Sequence, residues 1–285
     1  MLKGNCNIKD IANYAGVSTG TVSRVLNNRQ SNIPITEKTK KKILKTCEEL
    51  NYYPNIHAQR LFTNKSRTIG LIIPPQTRIV PGQHTFADFN LAEMLSGVEK
   101  TVTANGYRLL LLVGAPHFVS TKEYLRLFRE KSIDGMLVWG LRLEETYIMD
   151  LYKENKPLIL VNNYLKKKKV NFVINGDEEG SFQVTEHLIK SGHKRIAYIR
   201  GIKDVSISMD REKGYKRALA QYRLKQEKSF LEEGDYSIES GYQAMGKLLE
   251  RHSKDFTAVV AGNDLMAIGA MRALSEQGLK IPADI

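Results

Sequence analysis

Cysteine is nearly absent from this 285-residue sequence, which holds only Cys6 and Cys47. Two thiols at that distance supply neither a disulfide framework nor the spacing of a metal site. No apolar run approaches the ~18 residues that a membrane-spanning helix needs. The first residues, Met1-Leu2-Lys3-Gly4-Asn5, lack the apolar stretch of a secretory signal. Enzyme signatures are missing too. Gly241–Lys247 has the Gly-x-x-x-x-Gly-Lys spacing but is followed by Leu248 where a phosphate loop needs Ser or Thr. Gly16-Val17-Ser18-Thr19-Gly20 lies between two helical patterns and not on the strand-to-helix elbow of a nucleophile, and there is no His-Glu-x-x-His pair. The six His are scattered, none at ligand spacing with Cys or a carboxylate. We therefore expect no catalytic residue, no metal and no cofactor, in a soluble cytoplasmic protein. What remains is an ordinary globular composition, 42% apolar and 26% charged. The length suits a small domain followed by a large one.

The charge is unevenly placed. Of the net +12, residues 1–67 carry +8, from eight Lys and four Arg against Asp10, Glu37, Glu48 and Glu49. A basic head of this kind either meets phosphate or simply keeps the chain soluble. Its internal pattern favours phosphate. Ile8, Ile11, Ala12 and Ala15 share one helical face, Gly16 supplies a tight turn, and Ser18 is a good cap for a second helix. That helix, Thr19–Asn27, buries Val22, Val25 and Leu26. Thr19, Thr21, Ser23, Arg24 and Asn27 lie on its other face, small or planar hydrogen-bonders suited to base edges and phosphates. A third helix fits Glu37–Asn51, capped by Thr36 and buried through Ile43, Leu44, Cys47 and Leu50, with Lys40-Lys41-Lys42 facing solvent. Taken singly, a polar helix face is usually just a solvated surface; the ordered set of three is more specific.

The motifs Asp10-Ile11-Ala12, Ala15-Gly16-Val17-Ser18, Thr21-Val22-Ser23-Arg24-Val25-Leu26-Asn27 and Leu50-Asn51-Tyr52-Tyr53-Pro54-Asn55 resemble the DNA-binding head of the lactose-repressor (LacI/GalR) family. The resemblance runs almost without gaps from Ile8 to Leu61 and continues more loosely beyond. It implies a double-stranded DNA operator as partner. The DNA-contacting residues it implies are Ser18, Thr19, Gly20, Thr21, Ser23, Arg24 and Asn27, with Tyr52, Asn55 and Leu61.

Pro54 stops the third helix, and Asn55 can cap a seven-residue segment, Ile56–Phe62, too short to be stable alone. By resemblance this is a hinge helix that pairs with its dimer mate in the minor groove and folds on DNA. Leu61 is then the wedge that opens a base step; otherwise Leu61 packs on the sensor. His57 stands where relatives carry Val or Leu at the hinge crossing, which suggests a pH-sensitive contact or an imidazole that merely fills the gap.

From Arg67 onward, strand-like runs (68–73, 107–113, 135–139, 158–162, 195–200, 256–261) alternate with helical patterns (90–104, 121–130, 144–154, 179–191, 210–221, 239–251, 264–277). Such alternation gives a mostly parallel sheet covered on both faces. The expected fold is thus an all-α helix-turn-helix head, residues 1–54, a hinge and linker, 55–67, and an α/β sensor, 68–285. By resemblance the sensor is periplasmic-binding-protein-like, with two parallel-sheet subdomains around a ligand cleft. We place the break between subdomains near Tyr164–Val170, with Lys166–Lys169 as a solvated crossing loop. Relatives continue past Ile285 with a strand reading roughly Val-Gly-Phe-Asp-Asp, so the resemblance implies a sensor truncated at its C-terminus, lacking that Asp.

The resemblance also implies an effector site. Arg211 matches the family arginine whose planar fork binds sugar hydroxyls, Asn263 matches an amide ligand, and Tyr236 falls where relatives place an aromatic wall. Read without it, these are a surface Arg, a helix cap and a core Tyr. His187 and His193 match a structural stretch. The implied protein is a homodimeric regulator, most often a repressor, whose operator affinity a sugar-like effector controls. A periplasmic sugar-binding protein, an architectural DNA binder and a sugar-modifying enzyme are the competing readings. The basic head opposes the first, the length of 68–285 opposes the second, and nothing supports the third.

Overall fold

The computed structural model describes residues 6–27, 34–53, 65–73, 89–140, 147–165, 169–252 and 255–285. The chain divides into two compact units, Met1–Ser66 and Arg67–Ile285.

The described residues of the first unit form α1 (Ile8–Ala15), α2 (Thr19–Leu26) and α3 (Glu37–Glu49). Each has a side-chain cap. Asn7 and Asp10 form a reciprocal capping box on α1, and the Ser18 and Thr36 hydroxyls accept from Thr21 N and Thr39 N. α1 ends at Gly16, whose φ of 65° is a left-handed conformation that a side chain would strain. The buried centre consists of Ile11, Ala12, Ala15, Val22, Ile43 and Cys47. One expectation fails here. Leu44 is 47% exposed, because the inward stripe of α3 runs through Ile43 and Cys47, while Thr46 is buried with its hydroxyl donating to Lys42 O. Two helix ends also move inward. Asn27 caps α2 and does not extend it, and α3 stops at Glu49 because Asn51 adopts a φ of 49°.

The second unit is built on two parallel sheets. In the first, β1 (Thr68–Ile73), β2 (Arg108–Val113), β3 (Gly135–Trp139), β4 (Leu158–Val161) and β5 (Asn171–Val173) are ordered β2-β1-β3-β4-β5. In the second, β6 (Ile196–Arg200), β7 (Leu231–Glu233) and β8 (Ala258–Ala261) are ordered β7-β6-β8. Helices connect the strands: α4 (Phe89–Ala104), α5 (Pro116–Ser120), α6 (Glu123–Arg129) and α7 (Tyr147–Lys153), then α8 (Asp177–Lys190), α9 (Ser206–Gln221), α10 (Ile238–His252) and α11 (Asp264–Glu276). Successive strand residues point to opposite faces, and both faces are covered. Ile72 joins a cluster with Tyr124, Val138 and Leu160, while its neighbours Leu71 and Ile73 join Leu91. Likewise Ile196 and Tyr198 pack with Tyr215, whereas Ala197 and Ile199 pack with Met245 and Met266.

The break between sheets lies later than the sequence suggests. β5 pairs with β4 through Ile159–Val161, so the first sheet continues past the lysine run to Val173. The pattern expected over 121–130 forms α6, Glu123–Arg129, and Lys122 at φ 53° separates it from a short preceding helix, α5, that the sequence reading did not anticipate.

Candidate nucleic-acid interface and effector site

Along α2 and its C-cap, Thr19, Ser23 and Asn27 follow one another at four-residue spacing, with Gly20 and Arg24 in the parallel row. Ser18, Thr19 and Gly20 are exposed, and Thr21, Ser23, Arg24 and Asn27 are half-buried, while Val22 faces the core. Not all of these side chains are equally available. The Ser18 and Thr21 hydroxyls lie 2.9 Å apart, one donating to the other. The Asn27 amide donates to Ser23 O at 2.8 Å, closing the end of the helix. Gly20 is unusual for the opposite reason: a methyl group there would meet only the Ser18 hydroxyl, at an ordinary 3.6 Å. Packing does not require glycine at this exposed helical position. Tyr52 packs against the head's core, and burial pushes its phenol up. Asn55, His57 and Leu61 lie outside the described residues.

The second site gathers at the C-terminal ends of β6, β7 and β8, the edge where parallel sheets bind ligands. β6 leads into Gly201, β7 into Tyr236, and β8 into Gly262 and Asn263. Tyr236 has a φ of 75°, a conformation that costs energy for a non-glycine residue and is often found at functional sites. Asp235 supports it by accepting from Ser237 N at 3.0 Å. The Tyr236 ring lies directly over Gly201, where any Cβ would come closer than 3.0 Å to the ring. Burial pushes the Tyr236 phenol up, partly opposed by the Ser208 hydroxyl and the Arg211 guanidinium. Asn263 caps α11, accepting from Met266 N at 3.0 Å, and its amide donates to Tyr236 O at 2.9 Å.

Arg211, on α9, joins this group through its contacts. Its Nε donates to Asp177 Oδ1 at 2.7 Å, and its Nη1 donates to the carbonyl of Gly262. The structure thus brings Arg211, Tyr236 and Asn263 together. It adds Asp177, Gly201 and Ser208, which no local pattern had singled out. It also ties α9 to the end of the first sheet. Ser206 Oγ donates to the buried Asn163 Oδ1 at 2.8 Å, and Tyr164 Oη donates to Asp210 at 2.8 Å. Burial and Asp210 together push the Tyr164 phenol up to about 12. His193 shares a 2.9 Å hydrogen bond with Thr257 between neighbouring strand ends, a structural contact. Among the described residues no group of His, Cys, Asp and Glu is arranged to hold a metal, and no helix is long and apolar enough to cross a membrane.

Residues 7–55 match the family of bacterial regulatory proteins of the lacI type, and residues 66–285 match the periplasmic binding proteins and sugar binding domain of the LacI family. The chain belongs to the LacI family. The Bacillus subtilis (strain 168) protein named "Probable HTH-type transcriptional repressor ExuR" is 37% identical over 283 residues, covering 98% of this chain and 79% of its own length. Among solved structures, the lac repressor dimer bound to operator and the anti-inducer ONPF matches with a TM-score of 0.80 at 27% identity. That match covers 99% of this chain and 81% of the repressor chain. The transcriptional regulator CelR in complex with cellobiose matches with a TM-score of 0.70 at 27% identity, over 98% and 80% of the two chains. This LacI-family chain is a DNA-binding transcriptional regulator and not an enzyme. Its second unit has the family's sugar-binding fold.

Proposed function

We propose that the chain is a cytoplasmic repressor that binds a near-palindromic operator as a homodimer and is controlled by a sugar-like effector. The observation that carries this reading is the exposed polar face of α2 in a strongly basic head. A helix of that size fits the major groove, and two heads related by a twofold axis would read two half-sites. Thr19, Ser23 and Arg24 are the side chains best placed for bases. Ser18, Thr21, Asn27 and Tyr52 hold the helix in shape and face the phosphates. Asn55 and Leu61 belong, by family resemblance, to a hinge that acts in the minor groove.

The effector site is the group around Arg211, Tyr236 and Asn263. Three considerations support it: the position at the strand C-termini, the positive φ of Tyr236, and the neighbouring buried hydroxyls of Ser208 and Tyr236. The relatives named above with an anti-inducer or cellobiose support a sugar. In this reading residues 1–54 form the reader, 55–67 the link and 68–285 the sensor. Because α9 carries Arg211 and is bonded to Asn163 and Tyr164, effector contact with Arg211 reaches the connection between β4 and β5 of the first sheet. A coupling of ~1–3 kcal/mol would change operator affinity by ~5–150-fold.

The test begins with selection of binding sites from a random duplex pool. Affinity for the recovered site is then measured by fluorescence anisotropy at fixed salt, with and without mono- and disaccharides. A palindromic consensus and a sugar that shifts affinity are expected. Binding without sequence preference would overturn the reading.

A further inference from the structure

The effector-site reading leaves open which chemical group faces Arg211, and the ion pairing around that residue decides between two classes. A guanidinium has five N–H donors and a permanent positive charge. Here Nε and Nη2 both lie 2.7 Å from Asp177 Oδ1, and Nη1 donates to Gly262 O. The Asp177 side chain is only 5% exposed and that of Arg211 23%. Opposite unit charges in direct hydrogen-bonded contact, and largely shielded from water, stay paired and carry no net charge into the site.

The surrounding charges do not restore a positive field. Asp210 accepts from Tyr164, Glu178 and Glu179 face Lys213 and Arg217, and Glu212 faces Arg200 and Lys216. Facing the pair from the strand ends are the neutral hydroxyls of Tyr236 and Ser208 and the amide of Asn263. What Arg211 still offers is two N–H donors without net charge behind them. That is a match for hydroxyl oxygens. A carboxylate or phosphate brought to the same donors would lie against the Asp177 carboxylate.

Resting on the assignment of Arg211 to the effector site, we infer that the charge of the Asp177 carboxylate decides which effectors can meet Arg211. Asp177 is the specificity-determining residue that excludes an anionic group there. Asp177→Asn keeps the size and a hydrogen-bonding oxygen but removes the charge, turning Arg211 into a free cation able to hold an anion bidentately.

The test uses the full chain and the variants D177N, R211Q and D177N/R211Q, with inorganic phosphate and glucuronate as anionic probes. Anion affinity is read from the shift of the thermal midpoint with concentration. The basic head binds phosphate in every variant, so the informative quantity is the component that Arg211→Gln removes. No such component is expected in the parent chain. In D177N it should appear and tighten anion binding by about tenfold or more. An Arg211-dependent component already present in the parent, or none in D177N, overturns the inference. The assignment of the site itself is judged separately. A neutral sugar that alters operator affinity equally in the parent and in R211Q would sink that assignment, whatever the anion probes show.

Discussion

The contact between Tyr236 and Gly201 offers a way to disable the sensor while leaving the reader alone. Gly201→Ala places a methyl group closer than 3.0 Å to the Tyr236 ring, nearer than real Cβ atoms come. The tyrosine is held from both sides, by its own strained backbone and by the Asn263 amide that donates to its carbonyl at 2.9 Å. The ring must therefore swing out or the strand end must shift. Overpacking of this kind costs roughly 1–3 kcal/mol. For a unit of this size each kcal/mol lowers the thermal midpoint by about 2–4 °C. Operator affinity should stay within about twofold, while the response to effector disappears, since the substitution lies in a different compact unit from the head and shares no partners with it among the described residues. Urea unfolding followed by circular dichroism provides the decisive comparison. Tyr236→Ala removes the obstacle, so the double variant should be more stable than the two single losses predict, by about 1–3 kcal/mol. Strictly additive losses would refute the argument, because they would mean that the methyl group and the ring never compete for the same space.

Three further outcomes follow from named contacts. Arg24→Ala should abolish sequence preference while keeping weak, salt-sensitive binding, because a bidentate contact to guanine gives ~1–3 kcal/mol of discrimination; an equal fall in specific and non-specific affinity would make Arg24 a phosphate contact only. Gly20→Ala should leave the head as stable or up to about 1 kcal/mol more stable, since glycine is a poor helix former. The parent should tolerate any base pair opposite Gly20, and the alanine variant should gain a preference there; strict preference in the parent would defeat this. In the second unit, Lys213 holds the Glu178 carboxyl below the ordinary range, and Lys190 does the same for Glu186. A lowered folded value means that the associated stability is complete above the unfolded carboxylate value and is lost as pH falls through the folded one. The urea midpoint should therefore drop between about pH 5 and about pH 3, with a shallower slope in Lys213→Met.

How much of this was legible in the sequence depended on how local the cause was. The caps Ser18 and Thr36 and the left-handed Gly16 depend on neighbours within one helical turn, and the chain states them openly. β1 and β6 were legible because buried parallel strands read as continuous apolar runs. β5 and β7 were not: each is three residues long, and Glu232 and Glu233 in β7 carry charges that suggest a loop. Missing β5 displaced the boundary between the sheets to the lysine run, where charge looked more like a border than pairing with β4 did. Leu44 misled in a different way, since adjacency to Ile43 was read as a shared face although the helix turns it about 100° away. Asp177 marks the limit of the method. At the first position of α8 it looks like any acidic residue favoured near a helix N-terminus. Only the tertiary fold brings Arg211, 34 positions later, within 2.7 Å of it. A family arginine read from a motif is a donor of fixed charge; a buried carboxylate beside it changes which ligand that donor will accept. Specificity of this kind depends on pairs distant in sequence, so two chains with the same motif can select different effectors.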